Sequence, residues 1–140
     1  MPQIIKSAPI IREAVRRGLE LEVVHTGQHY EMSRAFFNEL GLPDRVVNLG
    51  VGSGGHGEQT GRMLVGLEKA YGELGPDVVL VPGDTDSTLV GALAAVKLGV
   101  SVAHVEAGAR SFDVGMAEEV NRVLGFVARV TPSPSVLCVA

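Results

Sequence analysis

Two carboxylates in this sequence directly follow apolar runs with the composition of buried strands. Asp84 comes after residues 77–82, and Glu106 comes after residues 100–105. If both runs are neighbouring strands of a parallel sheet, both side chains project into the crevice at the carboxyl ends of the strands. Neighbouring carboxylates suit proton transfer, which predicts acid/base chemistry. The alternative is that Asp84 caps the next helix and that Glu106 accepts hydrogen bonds from loop amides.

Histidines near these carboxylates raise the question of a metal site. His104 and Glu106 lie on the same side of one predicted strand because side chains alternate along a strand. Asp84 and Asp86 follow another strand, and His29 lies at the end of a third. Two or three scattered ligands favour a hydrogen-bonded histidine over a metal ligand. We therefore expect no metal site.

A glycine-rich stretch contains the pattern G-x-G-x-x-G at Gly50, Gly52 and Gly55. The pattern lies between a predicted strand and a predicted helix, as a dinucleotide fingerprint requires. The acidic residue expected about 20 positions later is Glu73 or Asp77, and neither clearly ends a strand. A glycine loop or a helix start that faces a phosphate is the favoured interpretation, with NAD binding as the lesser alternative.

Predicted strands and helices alternate along the chain. This order predicts an α/β fold with a doubly wound, Rossmann-like parallel sheet that binds ligands at the carboxyl ends of its strands. The expected strands cover residues 21–25, 46–49, 77–82 and 100–105, and the expected helices cover residues 3–18, 30–40, a long stretch ending at 74, 87–98 and a segment starting near 118.

Length and composition exclude several classes of protein. The 140 residues suit one domain, and a net charge of −4 without a Lys/Arg run argues against nucleic acid or an anionic membrane as a partner. No apolar run reaches the length of about 18 residues that suggests a membrane span. A single cysteine, Cys138, allows no internal disulfide and is compatible with a reducing compartment. We therefore expect a cytoplasmic protein.

Five segments, taken in order and spacing, resemble the non-hydrolysing UDP-N-acetylglucosamine 2-epimerases. The resemblance covers residues 2–124. The five segments are TGQH at 26–29, TGR at 60–62, PDVVLVPGDT at 76–85, HVEAG at 104–108 and EEVNR at 118–122.

This resemblance implies a fold and an activity. It implies one half of a GT-B architecture, in which two Rossmann-like domains hold a nucleotide sugar between them. Similar enzymes are isomerases of cell-envelope polysaccharide biosynthesis that need no cofactor and are often dimeric. They interconvert UDP-GlcNAc and UDP-ManNAc by removing the C2 proton, eliminating UDP and adding it back after reprotonation from the other face.

The resemblance also implies roles for individual residues. Asp84, Glu106 and Glu118 match acidic residues implicated in proton transfer, and Lys6 and Arg122 match basic residues of the substrate site. For Glu118 the alternative is simple capping, because acidic side chains favour the start of a helix.

A second nucleotide-sugar site is implied for bacterial members, where UDP-GlcNAc also acts as an activator. Gln28, His29 and Arg62 match positions near that second ligand. Glu31 stands where such enzymes often have glutamine, which argues against activation here.

The sequence departs from the family at both ends. It starts where the family's Arg-Pro-Glu motif stands, so we expect the first strand and the motif's arginine to be missing. That strand is central, and its loss is expected to leave the strands at Leu21 and Asp77 without their shared neighbour. Residues 1–124 are interpreted as an incomplete N-terminal domain and residues 125–140 as a divergent tail.

The second domain of the family has no counterpart in these residues. We therefore expect an epimerase by descent that is inactive as this fragment alone. The alternative is a non-catalytic module of the same fold that binds a nucleotide sugar or another protein chain.

Overall fold

A computed structural model describes residues 3–27, 30–42, 46–125 and 136–139. Within these residues, helices and strands alternate around one parallel sheet, which confirms the predicted α/β class. The helices are α1 (Gln3–Arg16), α2 (Tyr30–Glu39), α3 (His56–Leu74), α4 (Asp86–Lys97) and α5 (Ala117–Gly125), and the strands are β1 (Leu21–His25), β2 (Val46–Asn48), β3 (Val78–Pro82), β4 (Ser101–Val105) and β5 (Val136–Val139).

Local sequence signals explain where several helices begin and end. Thr85 starts α4 through a capping box with Thr88, which satisfies backbone amides that the first turn leaves free. Gly75 ends α3 in the left-handed conformation, with φ of 57°. Helix α1 contains Pro9 and continues through it to Arg16.

The strands form a sheet in the order β2-β1-β5-β3-β4, and all neighbours run parallel. The register pairs Pro82 at the end of β3 with Val105 at the end of β4. The residues that follow these two strands, Asp84 and Glu106, therefore leave the sheet at the same edge.

The strand at the centre of the sheet differs from the expectation in the sequence analysis. Strand β5 lies between β1 and β3, and Val136 pairs with both Leu21 and Val78. The expectation that β1 and β3 lack a shared neighbour is therefore wrong. The sequence analysis predicted no strand at residues 136–139, because a four-residue run has little local signal and its pairing partners are distant in sequence.

The remainder of the predicted tail lies outside the described residues, except that α5 continues through Gly125. The division of the chain at residue 124 stays a prediction.

Apolar side chains cover the sheet on both faces, as the continuous apolar run of β3 predicts. All five residues of β3 are buried. Val79 and Val81 belong to the core cluster beneath α3 and α4, whereas Leu80 belongs to the cluster beneath α1 and α2. The sheet thus holds the site residues at the edge of a two-sided core. Among the described residues, no helix is both long and apolar enough to cross a membrane.

Hydrogen exchange of the β5 backbone amides tests whether the central position is filled. Strand β5 pairs in register with Val23 of β1 and Leu80 of β3, which are both buried. We expect the β5 amides to exchange at least about 100-fold more slowly in the native protein than in the unfolded chain, because exchange of a hydrogen-bonded amide requires local opening.

The amides of Gly54 and Gly55 are the control, because both residues are exposed in the loop before α3. They should exchange rapidly in the native protein. Equally rapid exchange of the β5 amides, with a native circular dichroism spectrum, would show that β5 does not occupy the centre.

Candidate active site

The turn after β3 fixes the position of Asp84. Gly83 has a φ of 73°, a left-handed conformation that favours glycine, and a Cβ atom there would lie 2.6 Å from the side-chain amide of Gln3. The Gly83 amide donates to the carbonyl of Val105 at 3.0 Å. Nε2 of His104 donates to the Gly83 carbonyl at 2.6 Å. Two hydrogen bonds from the β4 side therefore fix the turn.

His104 is thus a hydrogen-bonded histidine, as the sequence analysis favoured. Its Nε2 carries the proton because a carbonyl oxygen only accepts. In the described part of the chain, no group of three or more His, Cys, Asp or Glu side chains is arranged to hold a metal ion.

Helix α5 contacts the turn after β3 through two polar side chains. The carboxylate of Asp84 forms an ion pair with the guanidinium of Arg122, and both side chains are largely buried. Asn121 donates through Nδ2 to the Asp84 carbonyl and to Oδ1 of Asp86, each at 3.0 Å. The chemistry that Asp84 can perform therefore depends on α5.

Glu106 directly follows β4 in a strained backbone conformation. Its φ is 66°, which for a residue other than glycine costs about 1–3 kcal/mol and is most often found at functional sites. Its carboxylate forms an ion pair with Nζ of Lys6 at 2.9 Å, and both side chains are partly exposed. The structure therefore brings together Lys6 of α1 and Glu106, the residue after β4.

Helix α5 also carries Glu119, whose side chain is fully buried. It accepts hydrogen bonds from the Ser111 amide at 3.0 Å, the Ser111 hydroxyl at 3.2 Å and Nε of Arg110 at 2.6 Å. Arg122 approaches it at 3.5 Å. The Ser111 amide, with Arg110, lowers the pKa of Glu119 from 4.5 to about 2. Glu119 thereby connects the loop after Glu106 to the arginine that pairs with Asp84.

The three predicted acidic residues differ in their surroundings. Asp84 and Glu106 each have a cationic partner at neighbouring strand ends, whereas Glu118 is exposed on the first turn of α5. Among the described residues no hydrogen bond or ion pair joins Glu118 to either of them. Its catalytic role stays a prediction, as does substrate binding by Arg122.

The sequence analysis did not assign roles to Glu119 and Asn121. One signal pointed to Glu119, because its spacing of three residues from Arg122 places the two side chains on the same side of a helix. Nothing in the sequence showed that this glutamate, and not its neighbour Glu118, is buried.

The predicted activator site is only partly described. Gln28 and His29 lie outside the described residues. Arg62 is exposed on α3 and forms an ion pair with Glu58 one turn earlier. Activator binding by these three residues stays a prediction.

The end of β1 packs closely against the glycine-rich loop before α3. Gly27 has a φ of 102°, and a Cβ atom there would lie 2.7 Å from the amide nitrogen of Val51. That amide donates to the Thr26 carbonyl at 2.9 Å. The Thr26 and Ser87 hydroxyls also hydrogen-bond at 2.9 Å, which joins this end of β1 to α4.

The NAD-binding alternative requires an acidic residue that can reach the ribose, and neither candidate can do so. Glu73 lies within α3, and Asp77 precedes β3 at the amino end of the strand. Neither side chain can reach a ribose at the carboxyl edge of the sheet, where the glycine-rich loop lies. The pattern at Gly50, Gly52 and Gly55 therefore gains no support from the fold.

A comparison with protein families identifies the family of this chain. A profile of the UDP-N-acetylglucosamine 2-epimerase family matches residues 12–129, which include the strand ends and α5. The chain belongs to this family.

Curated members of the family share about half of their aligned residues with this chain. A UDP-N-acetylglucosamine 2-epimerase of Methanocaldococcus jannaschii is 54% identical over 125 residues, which cover 88% of this chain and 34% of the relative. A UDP-2,3-diacetamido-2,3-dideoxy-D-glucuronate 2-epimerase of Pseudomonas aeruginosa is 48% identical, covering 88% of this chain and 36% of the relative. The chain thus spans about a third of their length.

Solved structures agree with this assignment. The crystal structure of the Methanocaldococcus jannaschii UDP-GlcNAc 2-epimerase in complex with UDP-GlcNAc and UDP superposes with a TM-score of 0.86 and 52% identity, covering 91% of this chain and 36% of that one. This confirms the predicted Rossmann-like sheet as one half of a GT-B architecture.

Gly27→Ala tests the close approach of β1 to the glycine-rich loop. We expect the free energy of unfolding to fall by about 2 kcal/mol or more, because alanine adds both a clash and an unfavourable positive φ. Chemical denaturation measures the change.

Gly61→Ala is the matched control, since Gly61 lies inside α3 with nothing within 4 Å of the added Cβ. It should raise the free energy of unfolding by about 0.5–1 kcal/mol. A Gly27→Ala protein as stable as the wild type would contradict the close approach.

Glu119→Gln tests the buried carboxylate. We expect the thermal midpoint at neutral pH to fall by at least about 5 °C, because Arg110 and Arg122 lose a shared anionic partner. Glu118→Gln, an exposed neighbour on the same turn, should leave the midpoint unchanged.

The pH dependence of stability separates the two glutamates further. A carboxyl group whose pKa is lowered on folding stabilises the folded protein at pH values above its pKa in the unfolded chain. This stability is lost as the pH falls to the pKa of the group in the folded protein. For Glu119 the window runs from 4.5 down to about 2. Glu119→Gln should therefore lose less stability across this window than either Glu118→Gln or the wild type. Identical slopes would contradict a depressed pKa.

Proposed function

We propose that this chain supplies the acid/base half of a UDP-GlcNAc 2-epimerase site. The observation that supports the proposal is the pair of carboxylates, Asp84 and Glu106, at neighbouring strand ends with Arg122 and Lys6 as their partners. The crystal structure of a relative that is 52% identical contains UDP-GlcNAc and UDP.

The reaction requires a proton to leave C2 and to return from the opposite face. One carboxylate accepts the C2 proton, and the electron pair of that bond forms the C1–C2 double bond while the bond from C1 to UDP breaks. Reprotonation at C2 and return of UDP to C1 complete the exchange. Two carboxylates at separate strand ends provide two proton-transfer groups, and Lys6 and Arg122 can offset the charge that develops.

Asp84 and Glu106 are the residues that we assign to proton transfer. Glu118 is a third candidate, because its exposed side chain is free to meet a ligand above the strand ends. We propose that the 140 residues do not turn over alone, since the aligned part covers only 34% of the Methanocaldococcus jannaschii relative and a nucleotide sugar needs contacts on both sides.

A chimera with a full-length relative tests the proposal, because the relative supplies the rest of the enzyme. The 125 aligned residues of this chain replace their counterparts in the Methanocaldococcus jannaschii relative. We expect the chimera to exchange the C2 proton of UDP-GlcNAc for deuterium in heavy water, as followed by NMR. Asp84→Asn and Glu106→Gln should each reduce exchange by about 10²–10⁴-fold.

Further measurements on the chimera provide a neutral control variant and compare two substrates. Gly61→Ala in the chimera should leave exchange unchanged. Testing the diacetamido uronate nucleotide of the Pseudomonas aeruginosa relative beside UDP-GlcNAc decides between the two substrates. A folded chimera with no exchange of either nucleotide sugar, or with full exchange after both carboxylate substitutions, would overturn the proposal.

The non-catalytic alternative makes a different prediction for the 140-residue chain alone. Calorimetry would then detect UDP-GlcNAc binding without proton exchange. Tighter binding of NAD than of UDP-GlcNAc would instead favour the dinucleotide interpretation.

A further inference from the structure

The two peptide groups that flank Asp84 are each held by a side chain. On one side, Nε2 of His104 donates to the Gly83 carbonyl at 2.6 Å, and this carbonyl belongs to the peptide group that joins Gly83 to Asp84. On the other side, Asn121 donates to the carbonyl of Asp84 itself at 3.0 Å. Because a peptide group is planar, fixing these two carbonyls fixes the backbone from which the Asp84 side chain departs.

The imidazole of His104 is itself enclosed. It lies on the same side of β4 as Val102, which belongs to the core cluster beneath α3 and α4, because side chains alternate along a strand. The end of α5 packs against the ring, since a Cβ atom at Gly125 would lie 3.5 Å from Cε1 and 3.7 Å from Nδ1. The ring is therefore confined between the turn after β3 and the last residue of α5.

The surroundings of the two ring nitrogens determine which of them carries the proton. Nδ1 is shielded from solvent and has no hydrogen-bond partner within the described part of the chain. A proton on Nδ1 would be an unsatisfied buried donor, whereas a proton on Nε2 is shared with the Gly83 carbonyl. These surroundings favour the Nε2–H form, in which the ring is a fixed donor to the turn that carries Asp84.

We propose that His104 is a positioning residue for proton transfer by Asp84. This inference rests on the proposed function, which assigns proton transfer to Asp84. The imidazole acts through the Gly83 carbonyl and orients the peptide group before Asp84, while Arg122 supplies the charge beside the carboxylate. A shift of about 1 Å in a reacting group can lower a reaction rate by about 100-fold, so this orientation affects catalysis.

Two variants of the chimera separate the hydrogen-bond donor from the space that the ring fills. His104→Met has a side chain of similar length without an N–H donor, whereas His104→Gln retains an amide donor near the position of Nε2. We expect His104→Met to lower kcat for exchange of the C2 proton by about 10–100-fold and to change KM by less than about 3-fold. His104→Gln should recover most of the lost kcat.

Tyr71→Phe is the matched control for stability. The Tyr71 hydroxyl lies in the last turn of α3 and donates to the buried Gly91 carbonyl at 3.2 Å, so this variant also removes a donor to a backbone carbonyl. It should lower the thermal midpoint and leave kcat unchanged. An equal loss of kcat in Tyr71→Phe and His104→Met, or full activity of a folded His104→Met chimera, would overturn the positioning role.

Nitrogen-15 NMR of the 140-residue chain tests the hydrogen bond without the reaction. At mildly alkaline pH, where imidazoles are neutral, we expect the His104 ring to carry a slowly exchanging proton on Nε2. His56 is the control, because its side chain is 91% exposed. A proton on Nδ1 of His104, or an Nε2 proton that exchanges as fast as the ring proton of His56, would overturn the inference. A chimera without exchange, combined with the expected NMR result, would contradict the proposed function alone.

Discussion

The pairing of β5 with both β1 and β3 is the constraint on which the rest of the structure depends. A parallel sheet covered on both faces has no water to hydrogen-bond an unpaired backbone group, so its central position has to be filled. Strand β5 pairs with both neighbours over the same few residues. This joins β1 with β2 on one side and β3 with β4 on the other into one sheet, whose carboxyl edge carries the site.

Helix α5 then determines how that edge can act. Its buried Glu119 anchors the loop after β4 through Ser111 and Arg110, and its Arg122 pairs with Asp84. One short helix therefore holds the two proposed proton-transfer regions in a fixed relation. The ionised state of Glu119 is stabilised by the Ser111 amide and by Arg110, so this connection is strongest above the acidic range.

The site also contains conformational strain at Glu106, which adopts a left-handed backbone conformation. Glycine would adopt this conformation at lower cost. Its ion pair with Lys6 brings in the first helix, which lies far away in sequence. Together the ion pairs to Lys6 and Arg122 place cationic charge on both sides of the crevice.

The sequence by itself determined the fold class, the bounds of most elements within two residues, and the strand-end positions of Asp84 and Glu106. These features follow from the periodicity of apolar residues and from the turn residues, whose effects extend over a few neighbouring positions. Tertiary structure decided that Val136–Val139 occupies the centre of the sheet and that Glu119, not Glu118, is buried. It also decided that Arg122 pairs with Asp84. These outcomes depend on contacts between residues far apart in the chain, where the free energy of burial outweighs any local preference.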